Sequence, residues 1–298
     1  MKYSTGVIFV LVAGILWSLM GLMIRQITVA GTWEVLFWRS VGVLPVLFGL
    51  IAWRSRGDLA ARLLGVGLPG LVGGLGLILA FAGAIFAIQN TTVANAVFLF
   101  SASPFLAAVL GFLILKENVR RATWVAIAIA AVGMFIMVRE GLNGGALAGN
   151  LAALASALGF AGFTLALRWG KMSDMMPTVV LGALFSMATS VLVLGIGGAG
   201  VAQLWAAPLQ DIGIAMAMGA VLLAAGMILY TTGSKVIPAA ELTLLSMIEV
   251  LLAPVWVWLF LGETATAQTF VGGAVLMAAV AFNALSGARR KPVAPILP

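Results

Sequence analysis

Apolar runs of about 20 residues, separated by short stretches of glycine, proline and charged residues, follow one another along almost the whole chain. This repetition limits the fold more than any motif, because about 20 helical residues cross a bilayer core of about 30 Å. Inside that core a helix satisfies all of its own backbone hydrogen bonds. Polar residues, prolines and glycines punctuate the sequence into ten expected spans, at about 5–25, 33–53, 64–88, 91–115, 121–138, 146–168, 177–200, 210–235, 239–261 and 267–286. The fold expected is all-α, a polytopic membrane protein of ten transmembrane helices. Composition agrees: 63% of the 298 residues are hydrophobic and 8% are charged, against about 25% charged in soluble domains.

Cysteine and histidine are both absent, which removes disulfides, thiolate or imidazole metal ligands and catalysis by either side chain. No metal or other cofactor is expected. The net charge of +7 has to be read by position, because basic loops orient a membrane protein, and it does not imply a nucleic-acid partner. With the N-terminus in the cytoplasm, loops on that side carry Arg54, Arg56, Arg62, Lys116, Arg120, Arg121, Arg168, Lys171 and Lys235, and the two ends add Lys2, Arg289, Arg290 and Lys291. The opposite loops carry only Arg25 and Arg139. Both termini are therefore expected inside, consistent with an even number of helices. The first apolar run, Gly6 to Ile24, has full span length and lacks a small-residue cleavage site, so it reads as a helix and not a cleaved signal.

The sequence from Phe100 to Gly133, FSASPFLAAVLGFLILKENVRRATWVAIAIAAVG, aligns without gaps on Ser246 to Ala279, SMIEVLLAPVWVWLFLGETATAQTFVGGAVLMAA, so that Glu117 falls on Glu263. Val93 to Asn95 meets Ala239 to Glu241, Trp17 lies opposite Phe160, and Arg25 lies opposite Arg168. Five spans per copy is an odd number, so the second copy crosses in the opposite sense. Residues 1–140 and 141–287 are read as two inverted five-helix repeats, followed by a cytoplasmic basic and proline-rich tail at 288–298. Inverted halves enclosing a midplane site are a recurrent transporter design.

Three stretches, ILWSLMGLMIRQ from Ile15 to Gln26, Arg39 within LFWRS, and SPFLAAVLGFLILKENV from Ser103 to Val119, resemble the drug/metabolite transporter superfamily in its EamA-like, ten-helix branch. Aromatic amino-acid exporters of the YddG type look similar, and that resemblance implies efflux of amino acids through a central cavity. The second half departs from the pattern at its Ser-Pro, where this chain has Glu249-Val250 and then Pro254.

Glu249 stands near the middle of the ninth expected span. A carboxylate facing lipid there costs about 2 to 3 kcal/mol on insertion scales, so it is expected to face the protein interior or a watery cavity. Helical spacing puts Leu242, Ser246, Ala253 and Trp256 on its face. Two readings stand: a functional acid that holds a solute amine or carries a proton, and a protonated acid bonded to a neighbouring helix. Further candidates for binding a solute are Trp17, Ser18, Phe81, Asn95, Phe98, Ser103, Phe160, Tyr230 and Ser246. Each has a plainer alternative in close packing, hydroxyl bonding to its own backbone or, for Tyr230, interfacial anchoring. Arg39 is expected to snorkel outward or to pair with Glu34. Glu117 and Glu263 are expected to cap or support helix ends, and the glycines of GLVGGLG, Gly70 to Gly76, to serve helix packing.

These features lead to a secondary transporter of a bacterial inner membrane, in contact with the lipid bilayer as monomer or homodimer. It is expected to export small amphipathic metabolites, amino acids including aromatic ones, by alternating access. An exporter of cationic drugs or other metabolites, with Glu249 as counter-charge or proton carrier, is the alternative. An intramembrane enzyme lacks its nucleophile or metal, and a channel lacks rings of like side chains from symmetric subunits.

Overall fold

The computed structural model describes residues 2–54, 58–171, 174–198 and 200–288. The tail beyond Ala288 and the loop residue Arg56 lie outside the described residues. Ten helices are long and apolar enough to span a membrane: α1 (Tyr3–Arg25), α2 (Thr32–Arg54), α3 (Gly67–Asn90), α4 (Val93–Ile114), α5 (Arg121–Gly144), α6 (Leu147–Trp169), α7 (Met176–Ile196), α8 (Leu209–Val236), α9 (Ala239–Leu261) and α10 (Ala267–Ala288). Each overlaps its expected span and differs from it by a few residues at the ends. Two short helices that hydropathy did not separate from loops, Leu59–Leu64 and Gln203–Ala206, lie between spans. The first is capped by Asp58, whose carboxylate accepts from the Ala61 backbone N–H.

Two spans are irregular. Pro104 has no N–H to continue the ladder, so α4 breaks before it: the Ser101 and Ala102 amides turn back to the carbonyls of Phe98 and Leu99 at 3.1 Å each, and a new helix opens at Ser103. In α9 the corresponding half carries Pro254 inside a continuous helix. The middle of α8, Met218–Ala225, is wound as a π-helix, a rare conformation frequent at functional sites.

Helix pairings come in related sets. α1 packs on α8 and α9, as α6 packs on α3 and α4; α2 packs on α8, as α7 packs on α3; α2 with α7 and α5 with α10 are their own counterparts. Exchanging helix n with helix n+5 maps this pattern onto itself, which is the two-fold relation of a repeat. The sense of each half follows from its ends. The end of α1 at Arg25 meets the start of α4 at Thr91 and the end of α9 at Glu263, whereas the ends of α6 and α4 meet through Arg168 and Glu117. α1 and α6 therefore run in opposite directions.

Without hydrophobic exclusion between helices inside lipid, association depends on close backbone approach at small residues. A Cβ on Gly42 would strike the Met216 carbonyl, and one on Gly219 would strike the Arg39 carbonyl and come 2.8 Å from the Val43 amide. α2 and α8 thus touch backbone to backbone beside the π-helix. The Gly73, Gly74 and Gly76 run fits the packing role expected of it, lying against α6 and α7. α5 and α10 meet through Gly133 and Gly272.

Candidate functional site

α1 and α9 lie side by side in parallel register. Tyr3 hydrogen-bonds Glu241, the Trp256 indole Nε1 donates to Ser18 Oγ at 2.8 Å, and Arg25 Nε meets Glu263 Oε2 at 2.8 Å, all three with a sequence separation of 238. Small residues bring the two helices together: a Cβ on Gly14 would collide with Ile248 and lie 3.7 Å from the Glu249 amide nitrogen. Glu249 sits seven residues, two turns, before Trp256 on one stripe of α9, and its side chain is half-buried.

Four of the expected residues gather around this seam. Trp17 and Tyr230 stack at 5.3 Å between ring centroids, tilted by 42°. Trp17 lies over Gly226 at the end of the π-helix, and its indole N–H is buried without a partner. Ser246 and Glu249 lie near the Tyr230 side chain. Ser246 also donates to the Leu242 carbonyl at 2.8 Å, and Ser18, fully buried, donates to the Ile15 carbonyl at 2.7 Å while accepting from Trp256. Tyr230 is therefore held against α1 by an aromatic partner. The group offers one carboxylate and aromatic faces, which suit an ammonium group on an apolar body, and one free indole N–H, which suits an acceptor atom.

The remaining candidates lie elsewhere. Asn95, 4% exposed, belongs to a polar cluster joining α4, α5, α6 and α10. Its Nδ2 donates to Asn150 Oδ1 and to Thr91 Oγ1, Thr91 donates to the same Asn150 oxygen at 2.8 Å, and Asn150 donates to the Met137 carbonyl at 3.3 Å. Phe98 packs on Gly273 of α10. Ser103 is buried at the start of the second half of α4. Phe160 of α6 stacks with Phe100 and Phe163, at 5.6 Å from each. Phe81 of α3 is half-buried and packs against both large apolar clusters of the core, one containing Trp17 and Phe160 and the other Trp256.

Three features were not foreseen. Glu117 and Glu263 do more than finish helices: Arg168 Nη1 meets Glu117 Oε2 at 2.6 Å, the counterpart of Arg25 with Glu263. Each pair is tied to backbone, Arg25 donating to the Thr91 carbonyl at 2.6 Å and Glu263 accepting from the Val93 amide at 2.6 Å, and Arg168 donating to the Ala107 carbonyl at 2.8 Å. The alignment that put Arg25 opposite Arg168 and Glu117 opposite Glu263 held the signal. Asp211, in the first turn of α8, accepts from the amides of Thr28, Val29 and Ala30 at 2.8 to 3.2 Å and so anchors the α1–α2 loop. Arg39 departs from both expectations. It is 5% exposed, so it does not snorkel, and among the described residues it pairs with no carboxylate, Glu34 included. The close α2–α8 packing encloses the residue, and its guanidinium lies 4.3 Å over the Phe81 ring.

Among the described residues no three of His, Cys, Asp and Glu are grouped to hold a metal. The model of the EamA-like transporter family matches twice, over residues 4–139 and 147–285. An uncharacterized transporter of Bacillus subtilis (strain 168), YwfM, is 26% identical over 210 residues, covering 69% of this chain and 68% of that protein. A solved crystal structure superposes with a TM-score of 0.64 at 16% identity, over 97% of this chain and 100% of the other, a likeness of fold alone. With two matched copies filling nearly the whole length of ten apolar helices, the chain belongs to the EamA-like transporter family.

Proposed function

We propose that this protein is a secondary transporter that exports small amphipathic metabolites, amino acids including aromatic ones, from a bacterial cytoplasm across the inner membrane. The two halves, 1–140 and 141–287, exchange conformations around the Glu249 group, with both termini and the tail cytoplasmic. The observation that carries the reading is the placement of Glu249, Tyr230, Trp17 and Ser246 on helices of the second half and α1, between two related ion pairs at opposite ends of the bundle. A site bounded by matching pairs suits alternating access, because opening either end needs one pair broken while the other holds. Glu249 supplies the charge that holds a solute amine or exchanges a proton, and the Trp17 and Tyr230 rings take the apolar body. Basic residues concentrated on one set of loops support the orientation.

The test is a solute panel in proteoliposomes, with and without a pH gradient. Saturable exchange of amino acids is the expected result. Saturable exchange restricted to organic cations lacking a carboxylate would replace amino acids as the substrate, and flux that never saturates would overturn a carrier.

A further inference from the structure

The buried guanidinium of Arg39 has no assigned task. It is the eighth residue of α2, about 10 Å along the helix axis from Thr32, and its side chain is 95% enclosed. Its Nε and Nη2 nitrogens are both buried without a hydrogen-bond partner. The Phe81 ring, 4.3 Å beneath it, attracts the cation through its face, but a ring face leaves the in-plane N–H donors unbonded. Gly42 and Gly219 put α2 and α8 in backbone contact at Arg39 and the turn that follows it, so the backbone that carries the side chain is held in place.

Nε and Nη2 lie along one edge of the planar fork, the edge that takes both oxygens of a carboxylate side-on through two parallel hydrogen bonds. A charged group held dry in a membrane helix with two such donors free is costly unless something pairs with it. We infer that Arg39 is a carboxylate-binding site, in which the Nε and Nη2 edge receives the carboxylate of the transported solute while Phe81 supports one face of the fork. The inference deepens the transport reading and rests on it for the identity of the solute. Phe81 packs against both apolar clusters of the core, which Trp17 and Trp256 also join, and on this proposal the guanidinium and Glu249 supply the two opposite charges of one solute site. A solute with a carboxylate and an amine meets one partner of each sign.

Ligand-induced thermal stabilisation of the purified full-length protein tests this with L-phenylalanine, L-phenylalanine amide, phenylacetate, phenethylamine and inorganic phosphate as probes. Wild type should bind L-phenylalanine about tenfold or more tightly than its amide, because a donor-only site rejects an amide NH2 aimed at it. Arg39→Gln should bring that ratio near one, Arg39→Lys should restore it in part, and Glu249→Gln should leave it in place while weakening phenethylamine. If Arg39→Gln does not fold, the wild-type comparison of acid with amide still decides. Stabilisation of wild type by phenylacetate, but by no amino acid, supports the carboxylate site and removes amino acids as substrate. Amino-acid binding that is indifferent to the amide or to Arg39→Gln overturns the site and leaves the transport reading standing. Stabilisation by phosphate alone, or by no probe, also overturns it.

Discussion

Arg25 and Glu263 form an ion pair at 2.8 Å, and Arg168 and Glu117 form its counterpart at 2.6 Å. In each, an arginine ending the first helix of one half meets a glutamate at the end of the fourth helix of the other half. Because the halves are inverted, the two pairs close opposite ends of one bundle.

If the pairs act as latches, neutralising one should bias the protein toward opening at that end. The chain contains no cysteine, so a single Ser246→Cys gives a labelling probe free of background. Partly exposed pairs are worth up to about 1 kcal/mol, about a fivefold change in population. Glu263→Gln should raise labelling by an impermeant maleimide from the Arg25 side, and Glu117→Gln from the Arg168 side. Equal labelling of both variants from both sides would show that the pairs hold helix ends and nothing more.

Trp17→Ala should lower apparent affinity for aromatic solutes more than for small ones, since it removes the ring that stacks on Tyr230 at 5.3 Å. Tyr230→Phe keeps the stack and removes the hydroxyl near Ser246, so it should alter solute preference with a smaller loss of rate. Transport assays at matched expression measure both. No change in either variant would move the site away from this stack.

Asn95→Ala should act on stability. It takes two hydrogen bonds out of a buried cluster, and each is worth about 0.5 to 1.5 kcal/mol. Thermal unfolding in detergent should show a lower midpoint, with solute selectivity unchanged among the molecules that remain folded. Altered selectivity at wild-type stability would return Asn95 to the solute site.

Much of the architecture is legible in the sequence alone. Ten apolar runs gave the helices because span length is set by the bilayer, and the gapless alignment of Glu117 on Glu263 gave the inversion by parity. Glu249 stood out because a midspan carboxylate is costly. What stayed hidden depends on which helices become neighbours. The ion pair of Arg25 with Glu263 and the Ser18–Trp256 bond each join residues 238 apart, and no periodicity announces that α1 runs beside α9. Arg39 was misplaced for the same reason: an arginine a turn and a half inside a span snorkels when its helix end is open, and here α8 closes over it through Gly219. The π-wound stretch of α8, Met218–Ala225, has an ordinary apolar sequence and gave no sign of itself.

Reporter fusions address orientation. With both termini cytoplasmic, a fusion following Gly141 should report the side opposite to fusions at either end. A cytoplasmic signal there would overturn the expected placement of the two halves in the membrane.

The most direct measurement is solute counterflow by wild type and Glu249→Gln in the same proteoliposomes, with and without a pH gradient. Gln keeps the shape of Glu249 and removes its capacity to ionise. Wild type should show saturable exchange. If Glu249 holds the solute amine, the variant should lose affinity for solutes that carry one, and a lost buried charge pair is typically worth several kcal/mol. If it carries the proton, the variant should still exchange solute but ignore the gradient. A Glu249→Gln protein indistinguishable from wild type for every solute and at every pH would contradict the account, leaving Glu249 as a satisfied polar group between α1 and α9.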